Sequence, residues 1–209
     1  MEHLARDPTP QTRVYHLMAE GMAFKVTIAL RASRVDKCIR DVKRDFLDTT
    51  TTKCVGLDCE FTDPRAGDQR AAVLQLSVAS ETLDGNIRFC GTAIGNDVQM
   101  LSPYDIHITS AYDLQKILPD PTNKPTSNLY DLANSTIGTN HEKNKRKKYK
   151  KIDIGTQEKE DELIFEWANF PLSYEQVHYA ALDALLGFEI ARRHWMLVGN
   201  NSHVDRLNI

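Results

Sequence analysis

The alternation of apolar and polar positions along the chain predicts strands mixed with helices. Residues 14–19 and 22–30 are rich in β-formers and flank a Glu-Gly pair, a pattern typical of a β-hairpin. Over residues 33–47 the apolar positions recur every three or four residues, which predicts a helix. Ser33 and Asp36 have the spacing of a capping box at its start.

The rest of the chain continues the same mixture. An apolar run that ends in acidic residues predicts a strand, and polar or Gly-rich turns separate it from further strands and helices. The mixture of strands and helices indicates one α/β domain. We predict strands at 54–61, 71–80 and 87–95, a helix from near Asp97, a strand running into a helix over 107–118, and helices at 129–137 and 174–198, the last capped near Leu172 or Ser173.

Composition adds limits rather than a function. The 209 residues include 26 Lys and Arg against 29 Asp and Glu, so the net charge is −3. No apolar run is long enough to span a membrane, and the first residues have no apolar signal core. The four cysteines show no metal-binding spacing, which favours free thiols. We therefore expect a cytoplasmic or nuclear protein that does not enter a membrane.

Two carboxylates at the end of an apolar strand are the first candidate for chemistry. Asp58 and Glu60 are two residues apart in the run LDCEF, so their side chains leave the strand on the same face. Neighbouring carboxylates repel each other, and a divalent cation relieves the repulsion because hard ions prefer oxygen ligands. The alternative is an acidic strand end that simply meets solvent.

Further acidic residues stand in two later segments. Asp97 follows a strand in GNDVQML, where an acid is also an ordinary partner of a helix start. Tyr179 and Asp183 are four apart in the predicted last helix and share a face of it. Asp183 stands among Ala and Leu, an unfavourable place for an unpaired charge, although a hydrogen-bonded Asp at the edge of the helix is the alternative.

Taken in order, these segments resemble a known family. The series Asp58-x-Glu60, Asp97 and Tyr179-xxx-Asp183 resembles the signature of the DEDD 3′–5′ exonucleases, in the subgroup with a tyrosine. The flanking runs also resemble the ribonuclease D and Werner-exonuclease-like family, most of all its small stand-alone plant-type members. The runs are VGLDCEF, AAVLQLSV, FCGTAIGNDV, LYDLANSTIG and PLSYEQVHYAALDAL, and the resemblance covers about residues 14–198.

This resemblance implies an RNase H-like (DnaQ-like) fold, a mixed sheet flanked by helices. It also implies two divalent ions, Mg²⁺ or Mn²⁺, held by Asp58, Glu60, Asp97 and Asp183, with Tyr179 orienting the attacking water. The implied reaction is hydrolysis of phosphodiester bonds from a 3′ end to 5′-monophosphates. The partner would be a nucleic acid with a free 3′ end, and we expect single-stranded RNA slightly ahead of DNA.

His178 is an alternative to the tyrosine, because a sister subgroup has a histidine five residues before the last acid. Five residues turn a helix by about 140°, against about 40° for four residues. The spacing therefore favours Tyr179, and His178 is expected on the surface of the first turn.

One departure from the family lies between the second and third of these strands. Only a short turn joins residues 71–80 to residues 87–95, where family members have a further strand and a helix. We expect a sheet that lacks one edge strand and one helix, with the 71–80 and 87–95 strands on either side of the 54–61 strand. The apolar surface left open is compatible with a homo-oligomer.

A basic run is the second departure. Seven of the 26 basic residues lie within residues 143–151, and all 29 acidic residues lie elsewhere. The run can contact phosphates and stack a base, remain a solvated loop, or act as a nuclear-localisation signal. The nucleic-acid contacts predicted in it are Lys145, Arg146, Lys147, Lys148, Tyr149 and Lys150.

The sequence therefore predicts a flexible lead at 1–13, a 3′–5′ exonuclease domain at 14–198 with a basic insert at 140–151, and a tail at 199–209. The alternative is a catalytically impaired nucleic-acid-binding or assembly protein of the same fold.

Overall fold

The chain's order of strands and helices follows the apolar pattern closely. The structure, a computed structural model, describes residues 12–19, 21–48, 53–63, 67–79, 87–118, 127–139, 166–168 and 170–198. The strands are β1 (Thr12–Ala19), β2 (Met22–Ala29), β3 (Lys53–Phe61), β4 (Ala71–Ser77), β5 (Ile87–Gly91) and β6 (Ala111–Asp113). The helices are α1 (Ala32–Val42), α2 (Ile94–Leu101), α3 (Leu114–Ile117), α4 (Leu129–Ile137) and α5 (Tyr174–Val198).

The described residues divide into two compact units near residue 53. In the first unit β1 and β2 form the predicted antiparallel hairpin, and α1 follows β2. The helix continues as a π-helical turn at Lys43–Leu47. Its apolar stripe remains open: no residue of α1 is buried, and Ile39 is 52% exposed.

The predicted capping box of this first helix is wrong. The helix begins at Ala32, with Arg31 in the N-cap position and no side-chain hydrogen bond to the cap. Ser33 therefore lies inside the first turn, two positions too late for its hydroxyl to serve as the N-cap, and Asp36 has no capping partner in it.

The second unit is built on a four-stranded sheet in the order β4-β3-β5-β6. β4 runs antiparallel to β3, and β5 runs parallel to β6. The predicted positions of β4 and β5 on opposite sides of β3 are thus confirmed. Both strands are shorter than predicted, because β4 ends at Ser77 and β5 ends at Gly91. Residues 80–86, which join them, lie outside the described part of the chain.

The two faces of the sheet carry different cores. On one face Leu57 and Cys59 pack with Ile94 and Leu101 of α2. Helix α5 crosses the sheet on the other face. It contributes many buried residues to the core there, including Leu186, Phe188 and Ile190. Side chains alternate along β3, so the face opposite Leu57 and Cys59 also receives Asp58 and Glu60.

Three further predictions concern the helices and the thiols. Helices α4 and α5 have the predicted bounds, and all four cysteines are free thiols, as expected. Helix α2 begins at Ile94, three residues before the predicted start, because the turn after β5 ends at Ala93 with a left-handed φ of 54°. Within the described residues, no helix is both long and apolar enough to cross a membrane.

Candidate metal and active site

The site begins at the end of β3. Asp58 and Glu60 lie on the same face of this strand, and both side chains are half-buried. This face is turned towards α5, which approaches β3 closely at Gly56. A Cβ at Gly56 would collide with the carbonyl oxygen of Ala184 and lie 2.7 Å from the backbone nitrogen of Phe188. The absence of a side chain at Gly56 therefore lets α5 pack directly on the strand that carries the two acids.

This close packing brings a third acid to the same place. Asp183 precedes Ala184 in α5 and is 8% exposed. Asp58, Glu60 and Asp183 each offer a carboxylate oxygen, and the three oxygens lie within 4.8 Å of one another. Three carboxylates at this separation suit a hard divalent cation such as Mg²⁺ or Mn²⁺, which takes oxygen ligands. The donor set therefore fits the ion that the sequence predicts.

The local sequence fixes the start of α5, and with it the position of Asp183. The hydroxyl of Ser173 accepts a hydrogen bond from the backbone N–H of Gln176 at 3.1 Å. In return the backbone N–H of Ser173 donates to Oε1 of Gln176 at 2.9 Å. This is a reciprocal capping box of the Ser-x-x-Gln type, and it supports Ser173 as the predicted cap. Leu172, the other predicted cap, lies just before it.

Tyr179 lies one turn before Asp183 and reaches the acids. Burial is the main cause that raises the pKa of its phenol, and the negative charges of Asp183, Glu60 and Asp58 raise it further. A side-chain hydrogen bond with Asp183 adds to the effect. The ring of Trp167, a buried residue of the 3₁₀ turn Glu166–Ala168, packs 6.1 Å from the Tyr179 ring, centroid to centroid. Tyr179 is therefore a neutral hydrogen-bond donor beside the carboxylates.

His178 takes a different position from Tyr179. Its ring lies 6.2 Å from the ring of Tyr174, and it is half-buried. The three acids contribute to the raised pKa of Tyr179, which places the tyrosine in their electrostatic field.

Tyr130 is a residue of this site that sequence reasoning missed. Its hydroxyl donates a hydrogen bond to Oδ1 of Asp183. Helix α4 presents it, and Asn128 caps this helix by accepting a hydrogen bond from the backbone N–H of Asp131 at 2.9 Å. The only sequence signal was the run LYDLANSTIG, which gave the family resemblance but assigned no role to the tyrosine.

The fourth predicted acid stands apart from the other three. Among the described residues, the group that could share one cation contains Asp58, Glu60 and Asp183 but not Asp97. Asp97 is buried in the first turn of α2. Burial, and next the charge of Asp113, raise the pKa of its carboxyl to about 7. Asp113 is held in place by the backbone N–H groups of Ala93 and Gln115, which both donate to its Oδ1.

The basic residues predicted to contact nucleic acid, Lys145 to Lys150 with Tyr149, lie outside the described part of the chain. The described site is therefore acidic and aromatic in character.

Comparison with known proteins gives a fold. The chain is similar in structure to the Aedes aegypti Nibbler EXO domain, with a TM-score of 0.54, 16% sequence identity, and coverage of 82% of this chain and 87% of that one. It has the RNase H-like fold of that exonuclease domain, a mixed sheet flanked by helices, which confirms the predicted fold class.

A second solved structure is less similar to this chain, and the sequence comparisons found no match. An EXD2 exonuclease domain soaked in Mn is 16% identical over 85% of this chain and 94% of that one, with a TM-score of 0.28. No protein-family model matches the sequence, and no curated protein is similar to it in sequence.

Proposed function

We propose that this protein is a metal-dependent 3′–5′ exonuclease of the tyrosine subgroup of the DEDD family, similar to ribonuclease D and the Werner exonuclease. It would release 5′-monophosphates from the 3′ end of a nucleic acid, with a slight preference for single-stranded RNA over DNA as substrate. The observation that carries the proposal is the convergence of Asp58, Glu60 and Asp183 with the phenol of Tyr179. An exonuclease fold and an acidic group suited to a divalent ion support it.

Each residue has a part in the proposed mechanism. Asp58, Glu60 and Asp183 would hold one divalent ion, while Asp58 together with Asp97 would hold the second. Bound there, the ions supply a water of lowered pKa and stabilise the charge on the leaving oxygen. Tyr179 keeps its proton and orients the attacking water by a hydrogen bond. Asp97 must give up its proton before it can act as a ligand, because its pKa is near 7.

We extend the proposal to the domain plan predicted from the sequence. The exonuclease domain would span residues 14–198, and its basic insert at 140–151 would contact phosphates. A solvated loop and a nuclear-localisation signal are the other interpretations of this insert. Truncating the insert distinguishes them, because only the first interpretation predicts weaker binding of the oligonucleotide and a reduced salt dependence of that binding.

The test is a digestion of 5′-labelled single-stranded RNA and DNA oligonucleotides with Mg²⁺ or Mn²⁺. We expect a ladder that shortens from the 3′ end, and no digestion when the 3′-hydroxyl is blocked or EDTA is present. Asp58→Ala should abolish the ladder, whereas Asp105→Ala removes a carboxylate that is 97% exposed and should not. A wild-type protein that forms no ladder, or an Asp58→Ala variant that digests normally, would refute the proposal.

One observation favours the second candidate, an impaired binding or assembly protein. On β4 the side chains of Leu74 and Leu76 are 39% and 44% exposed, and such apolar surface is expected where a sheet lacks a covering helix. The same oligonucleotides in a gel-shift assay decide between the two functions. Binding without digestion, in the presence of either metal, supports the second.

A further inference from the structure

Gln75, in the middle of β4, is a buried polar side chain without hydrogen bonds. It is 8% exposed, and neither Nε2 nor Oε1 of its carboxamide has a hydrogen-bond partner among the described residues. A buried carboxamide that makes no hydrogen bond destabilises a folded protein, because its polar groups have lost water without gaining another partner. Native proteins rarely keep such groups, and those that do commonly use them with an ion, a water or a ligand.

The strand register shows where this carboxamide points. Gln75 is the direct partner of Asp58 in the antiparallel ladder of β3 and β4. Directly opposed residues in such a ladder place their side chains on the same face, with Cβ atoms about 5 Å apart. Its neighbours Leu74 and Leu76 lie on the other face, where they are exposed. Gln75 therefore stands next to Asp58, on the face that carries the acidic group.

The elements that bury Gln75 are the elements of the site. β4 packs against helix α5, which carries Tyr179 and Asp183, and against the turn Glu166–Ala168, which carries Trp167. The strand that carries the buried carboxamide thus packs against the helix that carries Asp183 and Tyr179 and against the turn that carries Trp167. A group bound beside Asp58 would supply the hydrogen bonds that the carboxamide lacks.

A carboxamide can serve both kinds of group found around a hydrated divalent ion. Its N–H groups donate to carboxylate oxygens, and its oxygen accepts from the O–H of an ion-bound water. We propose that Gln75 is a positioning residue of the metal site, which orients the Asp58 carboxylate and a water of the bound ion, and completes its hydrogen bonds only when the ion is present. This inference rests on the proposed metal-dependent function.

The test measures Mn²⁺ binding by calorimetry and the thermal stability of the metal-free protein. Gln75→Met keeps the length of the side chain and removes both polar atoms. We expect it to weaken Mn²⁺ binding at least about tenfold, as the loss of such supporting groups does in metal sites. The metal-free variant should be as stable as the wild type or more stable, because an unsatisfied polar group has been removed.

The matched control is Gln115→Met. Gln115 is also partly buried, but its Nε2 donates to the carbonyl oxygen of Ser127 at 2.7 Å. This control should lose stability and keep its Mn²⁺ affinity. The opposite result for Gln75→Met, a lower stability with unchanged Mn²⁺ affinity, assigns Gln75 a purely structural part and overturns the inference.

A second measurement serves if Gln75→Met does not fold. The side-chain amide resonances of Gln75 in the wild-type protein, assigned by NMR, should shift on addition of Mg²⁺ and exchange more slowly with solvent. Resonances that do not move when Mg²⁺ binds overturn the inference alone. A wild-type protein that binds neither Mn²⁺ nor Mg²⁺ overturns both this inference and the proposed function, so the two failures are distinguishable.

Discussion

The hydroxyl of Tyr130 donates a hydrogen bond to Oδ1 of Asp183, so helix α4 is tied to the acid that helix α5 brings to the site. Asp183 also shares a hydrogen bond with Tyr179, one turn away on its own helix. Two phenols on different helices thus fix the orientation of one buried carboxylate. A carboxylate held in this way loses less freedom when it binds an ion.

Tyr130→Phe tests this relationship. The variant removes one donor to Asp183, and we expect Mn²⁺ binding about tenfold weaker and a loss of stability of about 1 kcal/mol. Calorimetry and urea denaturation measure the two effects. Tyr104→Phe is the matched control, because its hydroxyl bonds the carbonyl oxygen of Ala71 at 3.3 Å and no carboxylate. If both variants bind Mn²⁺ like the wild type, Tyr130 does not support the metal site.

Tyr179→Phe separates chemistry from binding. Since Tyr179 orients the water in the proposed mechanism, we expect kcat to fall about 100-fold while KM changes little. Because Tyr179 also shares a hydrogen bond with Asp183, Mn²⁺ binding should weaken about as much as in Tyr130→Phe, so the larger loss in kcat measures the part in chemistry. The raised pKa of its phenol also means that activity should show no loss from tyrosine ionisation up to about pH 10. His178→Gln is the comparison. A larger loss of kcat for His178→Gln than for Tyr179→Phe would transfer the role to the histidine.

The buried carboxyl of Asp97 predicts a specific pH dependence of stability without metal. Its pKa is raised from 3.8 to about 7, so the folded protein keeps a proton that the unfolded chain releases. The contribution of this group therefore falls as the pH rises from about 4 to about 7 and is constant above. Asp97→Asn removes this fall and should be more stable than the wild type at pH 8, by on the order of 3 kcal/mol.

Urea denaturation in EDTA at several pH values measures this difference. The free energies of unfolding of the wild type and Asp97→Asn should converge near pH 4 and separate towards pH 7. Curves that stay parallel over this range would contradict the burial of an Asp97 proton. In the wild type, Mg²⁺ affinity should rise with pH through the same window, because the ion competes with that proton.

Two glycines form a matched pair for the packing of α5. Gly56→Ala places a methyl group against the backbone of Ala184 and Phe188, so we expect a loss of more than about 2 kcal/mol and weaker Mn²⁺ binding. Gly95→Ala, in helix α2, meets no atom within 4 Å and should gain about 0.5–1 kcal/mol. Thermal unfolding and calorimetry measure both. Equal stability of the two variants would show that the Gly56 contact does not hold α5 in place.

The sequence predicted most of the fold where local signals were strong. Helices α4 and α5 were predicted at their observed bounds, because apolar periodicity, an Asn or Ser cap and a following Gly mark their ends. The order of the strands around β3 followed from the family resemblance, since the short 80–86 connection is still long enough to span two strand spacings. The predicted capping box at Ser33 was wrong because a Ser-x-x-Asp pattern does not determine which residue is the last non-helical one before the helix. That residue is Arg31.

The sequence predicted the acidic residues of the site but not the residues that support them. Asp58 and Glu60 share a face by strand periodicity alone, and an ordered motif added Asp183 and Tyr179. Tyr130 and Gln75 reach the site through a helix contact and a strand register that join residues far apart in the chain. Trp167 could not be predicted either, since it packs on Tyr179 from a short turn whose sequence has no periodic signal.

Helix α5 has one further consequence. It runs unbroken from its capping box to Val198, and Asp183 lies within residues 182–188, which are buried without exception. Asp183 therefore cannot move into solvent by a local rearrangement of the helix. It becomes exposed only when the whole core unfolds. Amide hydrogens of residues 182–188 should exchange with solvent only at the rate of global unfolding. On this side of the site, the proposed substrate would have to approach a stationary carboxylate.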